Sequence, residues 1–133
     1  MVKIIIPGEP KGKGRPRMSR KTGTIHTPRD TMVYENYVKL IYQSQCKEKL
    51  KGQLEAVIKA YYSIPASDSI KKRIKKLDGT IRPVKKPDID NIAKIILDSL
   101  NKIAYDDDKQ IVSLKFDKFY SDRPRVELEL KEV

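Results

Sequence analysis

The chain has 133 residues, with 29 Lys and Arg against 18 Asp and Glu, one His, one Cys and a formal charge of +11. That length supports one domain with a modest core, expected to span residues 1–133, and a lone Cys46 excludes an internal disulfide or a multi-cysteine zinc site. No apolar run approaches the roughly 18 residues of a membrane helix, and the three isoleucines before Pro7 are too short for a signal-peptide core. A reducing, cytoplasmic setting fits this cysteine usage.

The basic excess points to a polyanion partner, because Lys and Arg neutralise phosphates and release counterions. A soluble basic protein without such a partner is the plainer alternative. A membrane-surface role is not expected, since the basic residues do not line one strongly amphipathic helix.

VKIII (Val2–Ile6) reads as a first strand, stopped by Pro7 and Gly8. PGEPKGKGRPRMSRKTG follows as a basic loop, with Lys11, Lys13, Arg15, Arg17, Arg20 and Lys21 interleaved with glycine and proline. A helix is expected over Asp30–Lys51, with Val33, Tyr37, Leu40 and Ile41 at helical spacing and Gly52 closing it. Leu54–Pro65 reads as a strand in which one of Tyr61 and Tyr62 packs inward. Ser67–Gly79 reads as a short basic helix with a Ser or Asp cap. Ile92, Ile95, Ile96, Leu100 and Ile103 form one stripe, so Asn91–Ile103 is expected to be a helix with a buried face. QIVSLKFDKFY and PRVELELKEV read as two strands, and Asp122-Arg123-Pro124 between them suggests a hairpin. The expected fold class is α+β, a small mixed sheet with two to three packed helices in a single domain.

Six of the eleven aspartates fall within Asp88–Asp108, which carries a net −4 in an otherwise basic chain. Asp88 and Asp90 flank Ile89, so both carboxylates face one way while Ile89 is expected to face the core. Lys94 and Asp98 follow at four-residue steps on one helical face. Asp106–Asp108 come just after the helix, and a chain that turns back there brings one or two carboxylates toward Asp88 and Asp90. Carboxylates gathered this way repel unless a cation lies between them, and all-oxygen donors suit Mg²⁺ with phosphate as co-ligand. Taken singly, each aspartate also has an ordinary use: Asp90 or Asn91 as a helix cap, Asp98 in surface pairs with Lys94 and Lys102, and Asp106–Asp108 as turn residues. An EF-hand does not fit, because Ala93 and Ser99 stand where its Gly and Glu belong.

KPDIDNIAKIILDSLN followed by IAYDDDKQIV resembles the signature of the RusA family of Holliday-junction resolvases. The shared features are Asp-x-Asp-Asn opening a helix, a Lys four residues after the second Asp, and Asp-Asp-x-Gln beyond it. PGEPKGKGRPR, IHTP, Tyr34-Glu35, SIPAS and KKRIKK are similar to the phage-borne branch, so the resemblance covers nearly the whole chain. It implies a RusA-like fold and a homodimer that binds four-way junctions or other branched DNA. Such an enzyme nicks two opposed strands with Mg²⁺, Mn²⁺ serving as a substitute. It places catalytic, metal-binding carboxylates at Asp88, Asp90 and Asp108, with Asp107 as a further acidic position and Lys94 as the essential lysine. Asp106 lengthens the motif to three aspartates, and Gln110 anchors the register on Asp108. Asn91 is expected to orient a carboxylate or cap the helix.

Lys11, Lys13, Arg15, Arg17, Arg20 and Lys21 are expected to contact the DNA backbone, with Lys71, Lys72 and Arg73 as a second contact or a solvated face. The glycines lack Walker spacing, so no nucleotide cofactor is implied. His26 reads as structural, and Phe116 and Phe119 as sheet packing. Two rival readings stand beside the resolvase. One is a non-catalytic DNA-binding protein; the other is a metal-dependent nuclease of flaps, forks or RNA.

Overall fold

A computed structural model of the chain describes residues 1–14, 17–26 and 28–133, the side chains of Arg17 and His26 excepted. The expected contacts at Arg15 and Arg17 and the role expected of His26 thus lie outside the described residues. The strands are β1 (Val2–Pro7), β2 (Arg17–Met18), β3 (Ile25–His26), β4 (Leu54–Tyr62), β5 (Ile111–Tyr120) and β6 (Arg125–Glu132). The helices are α1 (Arg29–Gln45), α2 (Ile70–Leu77) and α3 (Ile89–Ser99), with a short 3-10 turn at Asp108–Gln110. This is the α+β class expected: a mixed four-stranded sheet with packed helices.

The sheet runs β1-β6-β4-β5. β6 pairs antiparallel with both β1 and β4, and β4 pairs parallel with β5. The hairpin expected between the last two strands is therefore overturned. β4 lies between β5 and β6, so the connection at Ser121–Pro124 crosses the end of β4. A short polar turn reports only that the chain reverses, and here the central strand, from earlier in the sequence, takes the place between.

Alternation in the strands explains the core. Val2, Ile4 and Ile6 of β1, Leu54, Ala56, Ile58, Ala60 and Tyr62 of β4, and Val126, Leu128 and Leu130 of β6 are all buried. α1 packs on β1 and α3, and α3 packs on β5. Tyr62 is the inward tyrosine. Tyr61 lies on the other side and stacks on Phe119 at 5.4 Å between ring centres. Phe116 packs at the core margin.

The α3 stripe is as expected: Ile92, Ile95, Ile96 and Leu100 are fully buried and Ile103 partly so. The helix is shorter than Asn91–Ile103 predicts at its end. It closes at Ser99 because Leu100 tightens onto Leu97 and Lys102 adopts φ +69°, turning the chain back. Ile89 is half-exposed rather than in the core. It sits in the first turn of the helix, before the stripe reaches the sheet.

α1 departs further from expectation. Thr31, Tyr34, Val38 and Tyr42 are the buried residues, while Val33 and Leu40 are exposed. Of the two buried tyrosines on its inner face, Tyr42 Oη donates to the Glu48 carbonyl at 2.7 Å, whereas the Tyr34 hydroxyl is buried with no partner among the described residues. The helix stops at Gln45, well before Lys51, since Leu50 is buried and its amide donates to the Ala104 carbonyl at 2.7 Å. Gln45 also bonds the amide and carbonyl of Ile5, which satisfies backbone groups on the edge strand β1.

The face assignment of α1 is testable with one substitution at two places. Val38→Ala is expected to cost about 2 kcal/mol of unfolding free energy, and Val33→Ala less than about 0.5 kcal/mol. Denaturant midpoints would show the difference, and equal shifts would refute the assignment.

Candidate acidic site

The site is built around α3. Its start is fixed from outside: Tyr62 Oη donates to the Pro87 carbonyl at 2.5 Å, holding the chain where it turns into the helix. Asp88 is the N-cap by backbone position, yet its carboxylate makes no capping bond and is exposed. It lines a recess with Gly12, Lys13, Lys86, Pro87 and Asn91. Asp90 is exposed in the first turn, where carboxylates are favoured by the helix dipole. Asn91 does not cap the helix; its backbone carbonyl accepts from the Lys13 amide at 3.1 Å.

Beyond the far end of α3 the chain turns back, but it brings Asp108 to Asp98 and not to Asp88 and Asp90, where the return was expected. Two side-chain amides fix that turn. Asn101 Oδ1 accepts from the Asp108 amide at 2.8 Å. Gln110 Oε1 accepts from the amides of Asp106 and Asp107, and its Nε2 donates to the Gly52 carbonyl at 3.1 Å. The glutamine of the motif is thus a clamp on the aspartate triplet. Asp107 caps the 3-10 turn, accepting from the Lys109 amide at 2.9 Å. Asp106 points away to Lys49 at 2.7 Å.

Asp108 meets Asp98, and their carboxyl groups share a hydrogen bond. Asp98 lies ten residues after Asp88, roughly 15 Å along the helix axis, so Asp88 and Asp90 sit toward the other end of the same helix. Among the described residues no three His, Cys, Asp or Glu side chains already form a metal-holding group. Lys94 is exposed on α3, and its charge contributes to the low pKa of Asp98.

Asp98 was weighed from sequence only as a surface pair. It follows Asn91 by seven residues, two helical turns, and so shares the face that meets the Gly12–Gly14 loop. That loop holds the third element of the site. Gly14 donates its amide to Thr31 Oγ1 at 2.9 Å. A β-carbon on Gly12 would lie 3.0 Å from Pro87 Cβ, and one on Gly14 would lie 2.8 Å from Thr31 Oγ1. Glycine is therefore required for close approach to α1 and α3. Between them, Lys13 turns inward: its Nζ lies 2.6 Å from Asp98 Oδ2 and 3.8 Å from Glu35 Oε2. Glu35 is a further acidic group that sequence spacing alone did not place here.

The electrostatics follow from this packing. Burial opposes the charge on Lys13, but the hydrogen bond to Asp98 and the charges of Asp98, Glu35 and Asp108 raise its pKa overall. Burial opposes the charge on Asp98 as well. Hydrogen bonds from Asp108 and Lys13 outweigh it and hold Asp98 below the ordinary carboxylate range. Asp108 is pushed up to about 6 by its hydrogen bond to Asp98, then by burial and by Asp107. The donors are all oxygen and carry excess negative charge, which the Lys13 ammonium offsets in part and which raises the proton affinity of Asp108. A hard divalent cation can supply that compensation, so the residues present fit such an ion in donor chemistry.

The expected DNA contacts divide. Arg20 and Lys21 are exposed between β2 and β3, Lys11 is exposed beside Asp30, Tyr34 and Tyr37 of α1, and Lys71 and Lys72 are exposed on α2, with Arg73 half-buried. Lys13 is committed to the acidic site instead.

Asp108 holds its proton more tightly folded than unfolded. Its contribution to stability is therefore fully present below about 4 and lost as pH rises through about 6. In EDTA, the melting temperature of the wild type is expected to fall relative to Asp108→Asn between about pH 4 and about pH 6. Parallel melting curves across that window would refute the raised proton affinity of Asp108.

The family described as Endodeoxyribonuclease RusA matches residues 7–131. The uncharacterized protein YqaN of Bacillus subtilis (strain 168) is 39% identical over 137 residues, covering 99% of this chain and 96% of its own. With a match that spans both the Gly12–Gly14 loop and the aspartates it meets, the chain belongs to the RusA endodeoxyribonuclease family.

Proposed function

We propose that this protein is a Mg²⁺-dependent Holliday-junction resolvase that acts as a homodimer, placing paired nicks in opposed strands of a four-way junction. The observation that supports the reading is that one helix carries Asp88 and Asp90 at its start and meets Asp108 near its end, at Asp98, within a chain of formal charge +11. Acidic donors inside a basic surface suit a phosphodiester substrate. The basic part holds the backbone, and the carboxylates hold a cation against the scissile phosphate.

This reading assigns the ion to Asp88, Asp90 and Asp108, with Asp107 beside them. Asp88 and Asp90 start α3 whereas Asp108 meets it at Asp98, so holding one ion requires the Asp106–Asp108 segment to move toward the start of the helix. A divalent cation in such a donor set supplies charge neutralisation at the phosphodiester and an acidified water. Lys94 offsets charge developing on the phosphate. Lys11, Arg20 and Lys21, with Lys71, Lys72 and Arg73 on α2, bind phosphates along the arms. Two symmetric nicks require two sites, which a homodimer provides.

Cleavage of a labelled mobile-core junction, beside linear duplex, flap and fork substrates, tests the assignment. Paired, ligatable nicks are expected with Mg²⁺ and not with EDTA. Asp90→Asn is expected to abolish nicking and to bind the junction as the wild type does. If the folded variant lost binding together with cleavage, Asp90 would belong to DNA contact or structure instead.

Replacing Arg20 and Lys21 by Ala together is expected to weaken junction binding. The slope of log affinity against log salt should flatten by about two, one phosphate contact for each residue. An unchanged slope would remove the ribbon from the interface.

A further inference from the structure

Lys13 belongs to a run of basic residues and would ordinarily be counted among the DNA contacts. Its surroundings assign it otherwise. Both flanking glycines are wedged against neighbouring elements, Gly12 on Pro87 and Asn91, Gly14 on Thr31 and Pro28. The backbone on either side is tied as well, the Lys13 amide to the Asn91 carbonyl and the Gly14 amide to Thr31 Oγ1. The loop has no freedom to swing outward without breaking these contacts. It delivers the ammonium between α1 and α3, 2.6 Å from Asp98 and 3.8 Å from Glu35, with Asp108 near enough for its charge to act on both Lys13 and Asp98.

We propose that Lys13 is the internal counter-ion of the acidic site, holding Asp98 and its partner Asp108 in place until a divalent cation displaces its ammonium. This rests on the reading that Asp108 helps bind a divalent cation. The physical argument is charge balance. Asp98, Asp108 and Glu35 converge on one point, and such a group is stable only with a compensating cation. In the metal-free protein Lys13 supplies that charge. Were Asp108 to bind a divalent cation, the ammonium held 2.6 Å from Asp98 would repel it. Lys13 is thus a positioning residue: it acts through Asp98 and Asp108, and it lowers the affinity of the site for its ion.

The test is metal binding by the full chain without DNA, with Mn²⁺ as the probe and free Mn²⁺ measured by electron paramagnetic resonance. Wild type, Lys13→Met, Lys13→Gln, Lys13→Arg and Asp108→Asn would be compared, each verified as folded by circular dichroism. Removing the charge in Lys13→Met and Lys13→Gln is expected to tighten Mn²⁺ binding by about tenfold. Lys13→Arg, which keeps the charge, should stay within about twofold of the wild type, and Asp108→Asn should lose the site. A purely structural lysine would give weaker binding or none of these differences. Equal or weaker binding by Lys13→Met and Lys13→Gln, with Asp108-dependent binding intact in the wild type, would overturn the counter-ion role alone. Absence of Mn²⁺ binding in the wild type and in every Lys13 variant would overturn both the counter-ion role and the metal reading. Failure of both neutral variants to fold would make Lys13 a structural residue and equally overturn it.

Discussion

Two carboxyl groups in hydrogen-bond contact, Asp98 and Asp108, set the terms for everything around them. Both cannot be charged at that separation without compensation. The compensation is the raised proton affinity of Asp108 and the Lys13 ammonium, and each has structural consequences. The raised affinity requires Asp108 to be delivered within reach of α3, which Asn101 and the Gln110 clamp accomplish. The ammonium requires a loop that passes close over two helices, which is why glycines stand on both sides of Lys13.

The fold supplies the frame for that contact. Because β4 and β5 are parallel, the chain must cross the sheet between them, and α3 is the last part of that crossing. Its isoleucine stripe binds it to the sheet and leaves the Asn91–Asp98 face turned toward α1 and the Gly12–Gly14 loop. The face that carries Asp98 is therefore defined by default, as the one the core does not use. α1 contributes Glu35 and Thr31 to the same junction, so one helix-helix contact organises acidic groups from both sides.

What was legible in the sequence follows from which interactions are local. The α3 stripe could be read because every position of one helical face is aliphatic and the burial is continuous. Asp88, Asp90, Lys94 and Asp106–Asp108 stood out as charge against a basic background, and the DNIAK and DDDKQ spacing carried the family. The face of α1 could not be read, since its buried residues are tyrosines and Thr31, whose polar atoms look like surface. Nor could the strand order: the Ser121–Pro124 turn is local, whereas the insertion of β4 beside it is a tertiary outcome. Lys13 was hidden for the same reason. A lysine between two glycines in a basic run looks like a solvated phosphate contact, and only the packing of α1 against α3 turns it inward. Asp98 offered one faint signal, its two-turn spacing from Asn91.

Lys13 is one of several cations that the formal charge counts and the surface does not offer. Lys76 is buried, 2.5 Å from Asp68 and over the ring of Tyr120 at 4.6 Å. Arg82 pairs with Asp117 at 2.9 Å and lies over Phe119, and Arg125 pairs with Glu127 at 2.8 Å and lies over Tyr61. Lys118 donates to the Lys85 carbonyl at 2.7 Å and lies over the Tyr62 ring. Arg82, Arg125 and Lys118 fasten the ends of β4, β5 and β6 to their neighbours. A phosphate backbone competes poorly for cations already bonded to carboxylates or backbone carbonyls and set over aromatic rings. Arg20 and Lys21 on the ribbon, Lys11, and Lys71 and Lys72 on α2 are exposed and are among the cations that none of these partners hold. Composition states how much positive charge the chain carries; the aromatic and acidic residues withdraw part of it, and so bear on where a polyanion can lie.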